Sequence, residues 1–499
     1  MQIVTSTTPS GILTRTANVP GRTYGAVVFG VGTRDEPVAT AGMAHLALHL
    51  IEAALEPRLI PSRARLDANS ITFEASGTTA QVVAHFRAIA DAVLALGSVT
   101  AYELGRAKRL LEVEEPGEYR HPGVDVFTFR YGLGELGRTG FGFPGIAATS
   151  KKDIARWAAS RLVAENTAVV LTKPLTASFD LDLPTGPVPT RGDAVQILET
   201  PTLVASENLD VCASLVVPAA GAEALADAIK FGLRERLVDQ AGLAYDVSVA
   251  TARVDEATAA LSFDVSPRRD DLPETVRALV LGLQDIADDG VSPAAVTLAV
   301  EFARLELASD PASVRDSLVG EATLSLRGFS ADSRDETLGL ALALTPETVA
   351  AAVAAAMPSL LVAFDDDADE KTMAKVAKGL SLPIDPFRLL QPVSEKLWKK
   401  AVKGDAVVFT KKKIKGLPDA EAVITDSALL HRYEDDSYAA VEFDDLILVG
   451  ERPNGTLVLV DGAGRWLPFT VKRWKNGQRF VKALRKAVPA ELVREFPAV

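Results

Sequence analysis

One cysteine, Cys212, stands in 499 residues. It excludes an intrachain disulfide and a cysteine-based metal cluster, and it fits a reducing cytoplasm. No uninterrupted run of about 18 apolar residues occurs, so no transmembrane helix is expected. The opening MQIVTSTTPSG has neither a basic flank nor an apolar stretch, so no secretory signal is expected either. Lysine is scarce before residue 395 while Ala, Val, Leu and Arg abound, the bias of a GC-rich bacterial genome. Positive charge is short overall, with a formal net of −13. It is also uneven: residues 395–499 carry 19 Lys and Arg against 15 Asp and Glu, which leaves −17 on the rest. An acidic body argues against nucleic-acid binding, which needs a basic footprint. It suits a basic peptide as well as simple solubility.

Apolar residues make up 48% of the chain and charged residues 24%, a globular balance, and the length calls for two to four domains. The chain repeats itself. Residues 82–115 read as two amphipathic helices joined by a Gly-Ser-Val-Thr turn, and residues 275–308 repeat that plan, Val291 matching Val99 at an offset of 192. Residues 150–171 and 345–364, offset by 195, each open on a Ser or Thr N-cap, run as a helix and end in an apolar strand. Near-equal offsets so far apart indicate a duplicated α+β unit. The Pro- and Gly-rich stretch 183–189 is the expected linker.

Residues 42–49, GMAHLALH, put His45 and His49 at i and i+4, on one helix face, as zinc-binding helices do. In the inverted zinc-peptidase helix the general-base glutamate immediately precedes the second histidine. Here that position is Leu48, which takes no proton from water. Upstream, an apolar strand leads into Gly32-Thr33-Arg34-Asp35-Glu36 and a short loop to Gly42. Strand, Gly-Ser/Thr-Arg-x-Glu, loop, Gly-x-x-His and paired histidines, in that order, resemble the insulinase-like metallopeptidases, the superfamily of pitrilysin and mitochondrial processing peptidase.

The resemblance implies an α+β chain of tandem duplicated insulinase-like α/β halves, here 1–183 and 190–388. It implies a third zinc ligand, a glutamate on the long helix of the first half. Glu112 aligns with it; the stretch 58–76 is compressed relative to the family and leaves Glu114 and Glu115 as alternatives. Glu52, one turn past His49, would point away from a metal-bound water and does not replace the base. With Leu48 in place, no catalytic residue and no resident cofactor is expected. Ligation of zinc by a relic set, His45, His49 and Glu112, without turnover is the alternative. In the second half, Leu233-Arg234-Glu235-Arg236 and Gly242-Leu243-Ala244-Tyr245 resemble the signature of the family's inert repeat. There an arginine seven residues before the tyrosine helps hold substrate; here Tyr245 is present but position 238 is valine. Arg234 or Arg236 substitutes only if the loop through Asp239-Gln240 is remodelled. His85 and His121 read as ordinary histidines. The glycines at 132, 134, 137, 140, 142 and 145 lack the strand-to-helix context of a phosphate loop and read as an irregular connection.

After residue 386 the composition changes. Eight lysines crowd into 396–415, and short alternating strands follow at 421–425, 428–433, 438–442, 446–451 and 457–461, the last two joined by a turn containing Pro453-Asn454-Gly455. A closing strand or loop at 464–469 leads to a helix over 476–487. Strands followed by one C-terminal helix resemble the pleckstrin-homology-like fold, covering 404–490. The lysines suit an anionic membrane. The acidic 434–436 and 444–445 oppose that contact, and a docking module is the preferred reading. The expectation is therefore a cytoplasmic, non-catalytic insulinase-like subunit. It would pair with an active zinc-bearing homologue as a heterodimer and process a peptide or protein precursor. A non-proteolytic peptide-binding adaptor and an enzyme with an altered metal site are the alternatives.

Overall fold

The computed structural model describes residues 2–495 apart from 56–59, 115–125, 139–142, 144, 207–210, 366–369, 386–390, 405–406, 413–419, 434–435 and 453–454. Glu115, His121, Gly140, Gly142 and the Pro453-Asn454 turn thus lie outside the described residues.

The first half holds strands β1 (Ile3–Thr7), β2 (Leu13–Ala17), β3 (Thr23–Phe29), β4 (Ser62–Leu66), β5 (Ile71–Gly77) and β6 (Thr167–Leu171). Its helices are α1 (Met43–Ala54), α2 (Thr79–Ala95), α3 (Ala101–Glu114), α4 (Val126–Tyr131) and α5 (Lys151–Arg161). The second half holds β7 (Thr202–Ser206), β8 (Val211–Pro218), β9 (Ala244–Arg253), β10 (Thr258–Pro267), β11 (Leu361–Asp365) and β12 (Ile384–Asp385). Its helices are α6 (Ala222–Arg234), α7 (Leu272–Asp289), α8 (Pro293–Glu306), α9 (Pro311–Leu326), α10 (Arg334–Leu342), α11 (Pro346–Ala356) and α12 (Glu370–Leu380). The sheets run β1-β2-β6-β3-β5-β4 and β12-β7-β11-β8-β10-β9. Setting aside the outermost β1 and β12, the two walks are the same, including the parallel pairs β2 with β6 and β7 with β11. The repeat read from amphipathic periodicity is a repeat of topology.

Strand alternation splits each sheet between two cores. Val27 and Phe29 face α1 and α2, whereas Ala26 and Val28 face the other way. Helix α2 seats Val82, Phe86, Ile89 and Val93 in the first of these cores. With its following turn, Thr79–Ser98 is long and apolar enough to cross a membrane by length and composition alone, although no unbroken apolar run was expected. Gln81, His85, Arg87 and Asp91 interrupt this one.

The opposite face of each sheet is covered by the other half. Helix α9 lays Val314, Leu318, Val319, Ala322 and Leu326 on Ala26, Val28, Ala168 and Val170. In return α4 lays Val126, Phe127 and Phe129 against Val204, Cys212, Ala260, Leu361 and Ala363. Each fully buried Val, Leu or Phe contributes about 1.5–3 kcal/mol, so the two seams hold the halves together. A buried charge network closes the junction. Arg327 Nη1 donates to both Asp35 oxygens at 3.0 and 3.2 Å, and its Nη2 to Glu135 Oε2 at 3.0 Å. Arg191 Nε reaches Asp35 Oδ1 at 3.2 Å, and Arg34 Nε reaches Glu135 Oε2 at 2.8 Å.

The tail comprises β13 (Gln391–Pro392), α13 (Glu395–Lys403), β14 (Val407–Thr410), β15 (Glu421–Ile424), β16 (Ala428–Arg432), β17 (Tyr438–Glu442), β18 (Leu446–Glu451), β19 (Thr456–Asp461), β20 (Trp466–Thr470), α14 (Gly477–Ala487) and β21 (Val493–Glu495). Two sheets, β13-β17-β16-β15-β14 and β20-β19-β18-β21, share a core with α14, in which Phe469 stacks on Phe480 at 3.9 Å and on Trp474 at 4.3 Å. The tail is seated on the first half. Leu448, Val458 and Val460 close on Val38 and Leu133, and Leu133 N–H donates to Gly462 O at 2.8 Å. Gly132, at φ +66°, permits this approach: a Cβ there would stand 2.5 Å from Gly462 O.

Replacing Arg327 by alanine leaves Asp35 and Glu135 buried with fewer cations. Denaturant unfolding of Arg327→Ala should show a loss of about 3–5 kcal/mol, the usual result of breaking a buried pair from one side. A loss below about 1 kcal/mol, the range of exposed pairs, would contradict this role.

Candidate functional site

Helix α1 starts under unusual constraint. Its N-cap Gly42 sits at φ +93°, and a Cβ there would meet Ile146 and Phe143 inside 3 Å. The Glu36 carboxylate accepts the Gly42 N–H at 2.7 Å and the Ala44 N–H at 2.5 Å, satisfying two donors that the helix leaves open. Arg138 Nη2 stands 3.6 Å from Glu36 and donates to Thr33 O at 2.8 Å. Glu36 and Arg138 are each 3% exposed. Burial pushes the Glu36 carboxyl up to about 7, against the pull of Arg138 and of the two helix N–H groups.

With its start fixed, α1 presents His45 and His49 to α3. Their rings stack with centroids 4.8 Å apart, and Phe143 meets His45 edge-on at 5.5 Å. Glu114 Oε2 lies 3.3 Å from His45 Nε2 and 3.1 Å from His49 Nε2. The third partner is therefore Glu114 and not Glu112, which corrects the first alignment. Helix α3 buries Leu104, Ala107 and Leu111 against the core, and the next step of that stripe is 114. Glu112 falls on the exposed side, with Lys108 as its charged neighbour. Ligands of a tetrahedral zinc with bonds of 2.0–2.2 Å stand about 3.4 Å apart. The donor atoms of His45, His49 and Glu114 lie within 4.8 Å of one another, so the set fits a zinc ion. Zinc held there would supply Lewis acidity and a bound water of lowered pKa.

At the general-base position Leu48 is 5% exposed and packed in the first-half core. Glu52 is half-buried on the next turn and is not part of the donor cluster.

In the second half, Arg234 pairs with Asp246 at 2.5 Å, beside Tyr245, whose side chain is 90% exposed at the start of β9. Arg236 turns the other way, donating to Gly232 O at 3.1 Å with Asp285 3.9 Å off. The intervening Glu235–Gln240 is wound as a π-turn, so the segment through Asp239-Gln240 departs from an ordinary α-helix, and Val238 packs at the edge of the second-half core. Arg234 and Tyr245 are thus neighbours, and Arg236 is directed away from them. Sequence reasoning noted Glu36 in its motif but missed its capping role and missed Arg138. The signal was an acidic residue shortly before a helix that lacks a side-chain N-cap of its own.

No protein-family model and no curated protein matches this sequence. Solved structures do. A chain of Complex III2 from Candida albicans superposes with a TM-score of 0.59 at 14% identity, covering 75% of this chain and 100% of that one. A peptidase M16 inactive domain from Pseudomonas fluorescens gives 0.58 at 16%, covering 73% and 98%. The ferredoxin protease FusC gives 0.53 at 12%, covering 92% of this chain and 56% of that one. At these identities the likeness shows the fold alone, an insulinase-like fold shared by an M16 inactive domain and by proteases.

Two outcomes test this geometry. In zinc competition against a chromophoric chelator, Glu114→Ala should lower affinity by about 10–100-fold and Glu112→Ala should leave it unchanged; the reverse order would put the third ligand back at 112. For Glu36, the folded chain keeps its proton between pH 4.5 and about 7, where the unfolded chain has released it. Its contribution is therefore full below 4.5 and declines as pH rises to 7, by up to about 3 kcal/mol. The stability difference between the native protein and Glu36→Gln should shrink over that window, and a constant difference would refute the shift.

Proposed function

We propose that this chain is a non-catalytic insulinase-like subunit that pairs with an active zinc-bearing homologue to process a peptide or protein precursor. The observation that carries the reading is Leu48. Two histidines and Glu114 stand together as a ligand set, yet the position that should take the proton of the attacking water holds a buried leucine. Among the described residues, the position that would deprotonate a water on any zinc bound here carries no acid or base. The fold neighbours described as an M16 inactive domain and as part of Complex III2 support a role inside an assembly. In this reading the homologue supplies the base, and this chain, through residues 1–390, completes the peptide-binding chamber with Arg234 and Tyr245 exposed on its second half. The tail is a pleckstrin-homology-like docking module. Its five-stranded and four-stranded sheets sharing a core with a C-terminal helix support that, and its seat on the first half favours docking over membrane contact. The assembly is cytoplasmic.

The chain purified alone should leave unstructured peptides intact. Co-expressed with a homologue that carries an intact His-x-x-Glu-His, it should elute with that homologue in size-exclusion chromatography and raise its turnover. Cleavage by the lone chain that disappears on His45→Ala would restore the altered-enzyme reading. A chain that stays monomeric and leaves the homologue's activity unchanged would favour the adaptor.

A further inference from the structure

A cleft of about 820 Å³ lies between the first half and the tail. One wall is α5, with Arg156, Trp157 and Arg161. The other is α14 and β21, with Arg485 and Arg494, and the floor is the turn that enters α1. The body of the protein is acidic, yet four arginines line this space against two carboxylates, Asp153 and Glu495.

The arginines keep capacity for a ligand. Arg494 donates to the main-chain carbonyls of Ala39 and Val493, which are neutral, and it makes no ion pair among the described residues. Arg161 has no ion pair among the described residues. Arg156 shares an exposed pair with Asp153, whose carboxylate also accepts from Ser150 at the start of α5. Arg485 is held by Glu451. A guanidinium binds a carboxylate through two parallel N–H bonds, which a neutral carbonyl does not replace. The volume is far larger than one small anion and falls in the range of sites that enclose a ligand of several groups. Trp157, Met43 and Pro37 supply apolar wall for its aliphatic parts.

We propose that this cleft binds an acidic peptide segment, its carboxylates on Arg161 and Arg494 and its chain running between α5 and β21. The site stands apart from the peptidase reading and does not depend on it. An occupant would rest on Met43, the first residue of the helix that carries His45 and His49, and would bridge the tail to that helix.

Isothermal titration of the full chain with hexaglutamate tests this. Binding is expected, weakening as salt rises. The double variant Arg156→Ala/Arg161→Ala should lose at least about tenfold in affinity, about 1.4 kcal/mol, with an unchanged melting profile. Arg161→Glu, which reverses one charge on the same helix, should lose more than Arg161→Ala. Absence of binding, undiminished binding by the folded double variant, or equal binding of hexalysine would overturn the proposal. Tighter binding of inorganic pyrophosphate than of hexaglutamate would overturn the peptide assignment in favour of a phosphate ligand.

Discussion

Two adjacent buried carboxylates, Asp35 and Glu36, tie the site to the architecture. Asp35 receives Arg327 from the second half and Arg191 from just beyond the linker. Glu36, one residue on, receives the first free N–H groups of α1. Both leave a single tight turn, Thr33–Asp35, whose own N–H groups are anchored on the carbonyls of Asp67 and Ala68. Any shift of α9 against the first sheet is therefore felt at the start of the histidine helix. Such a network contributes little net stability, because three guanidinium groups and two carboxylates lose water to make it. Burial holds the Arg34 guanidinium below its ordinary range, with Arg327 adding to the effect against the pull of Glu135. The network serves to select one seating of the halves; the apolar seams supply the energy.

Those seams explain why the halves act as one unit. A sheet whose second face is completed only by a helix from the other repeat exposes that face when the repeats part. The exchange is reciprocal, α4 for α9, so neither half has a complete core alone. Opening the molecule would bare two aliphatic faces and strand Asp35 and Glu135 at once. That cost makes the two-half chain, not the half, the unit that any partner meets.

The duplication was legible because amphipathic helices and N-caps are local signals. The exchange was not. Periodicity reports that a face is apolar, not whose sheet it meets, and the wide buried arc of α9 mixes its aliphatic residues with Arg315, Glu321 and Thr323. The Arg327–Asp35 pair spans 292 residues and leaves no local trace. The paired histidines were visible from spacing alone. The third partner was misplaced by two residues because family alignment was followed across a compressed segment, while the helix's own stripe of Leu104, Ala107 and Leu111 leads to Glu114. In the tail, alternation located β15 to β19 within a residue or two, whereas β14, next to the lysine cluster, was missed because charge masked a four-residue strand.

The presence of His45 and His49 beside Leu48 needs no metal to be stable. One oxygen of Glu114 is within hydrogen-bond distance of both Nε2 atoms, so each ring in its Nε2–H tautomer donates to the same carboxylate. Phe143 closes the edge of His45, and Leu48 fills core volume that a glutamate would have to desolvate. With leucine, the helix loses the proton acceptor and gains packing, while the three polar groups satisfy one another. The same arrangement that fits zinc is thus self-sufficient without it. The histidines alone therefore do not argue for an enzyme, and the missing carboxylate is the observation on which the proposed reading rests.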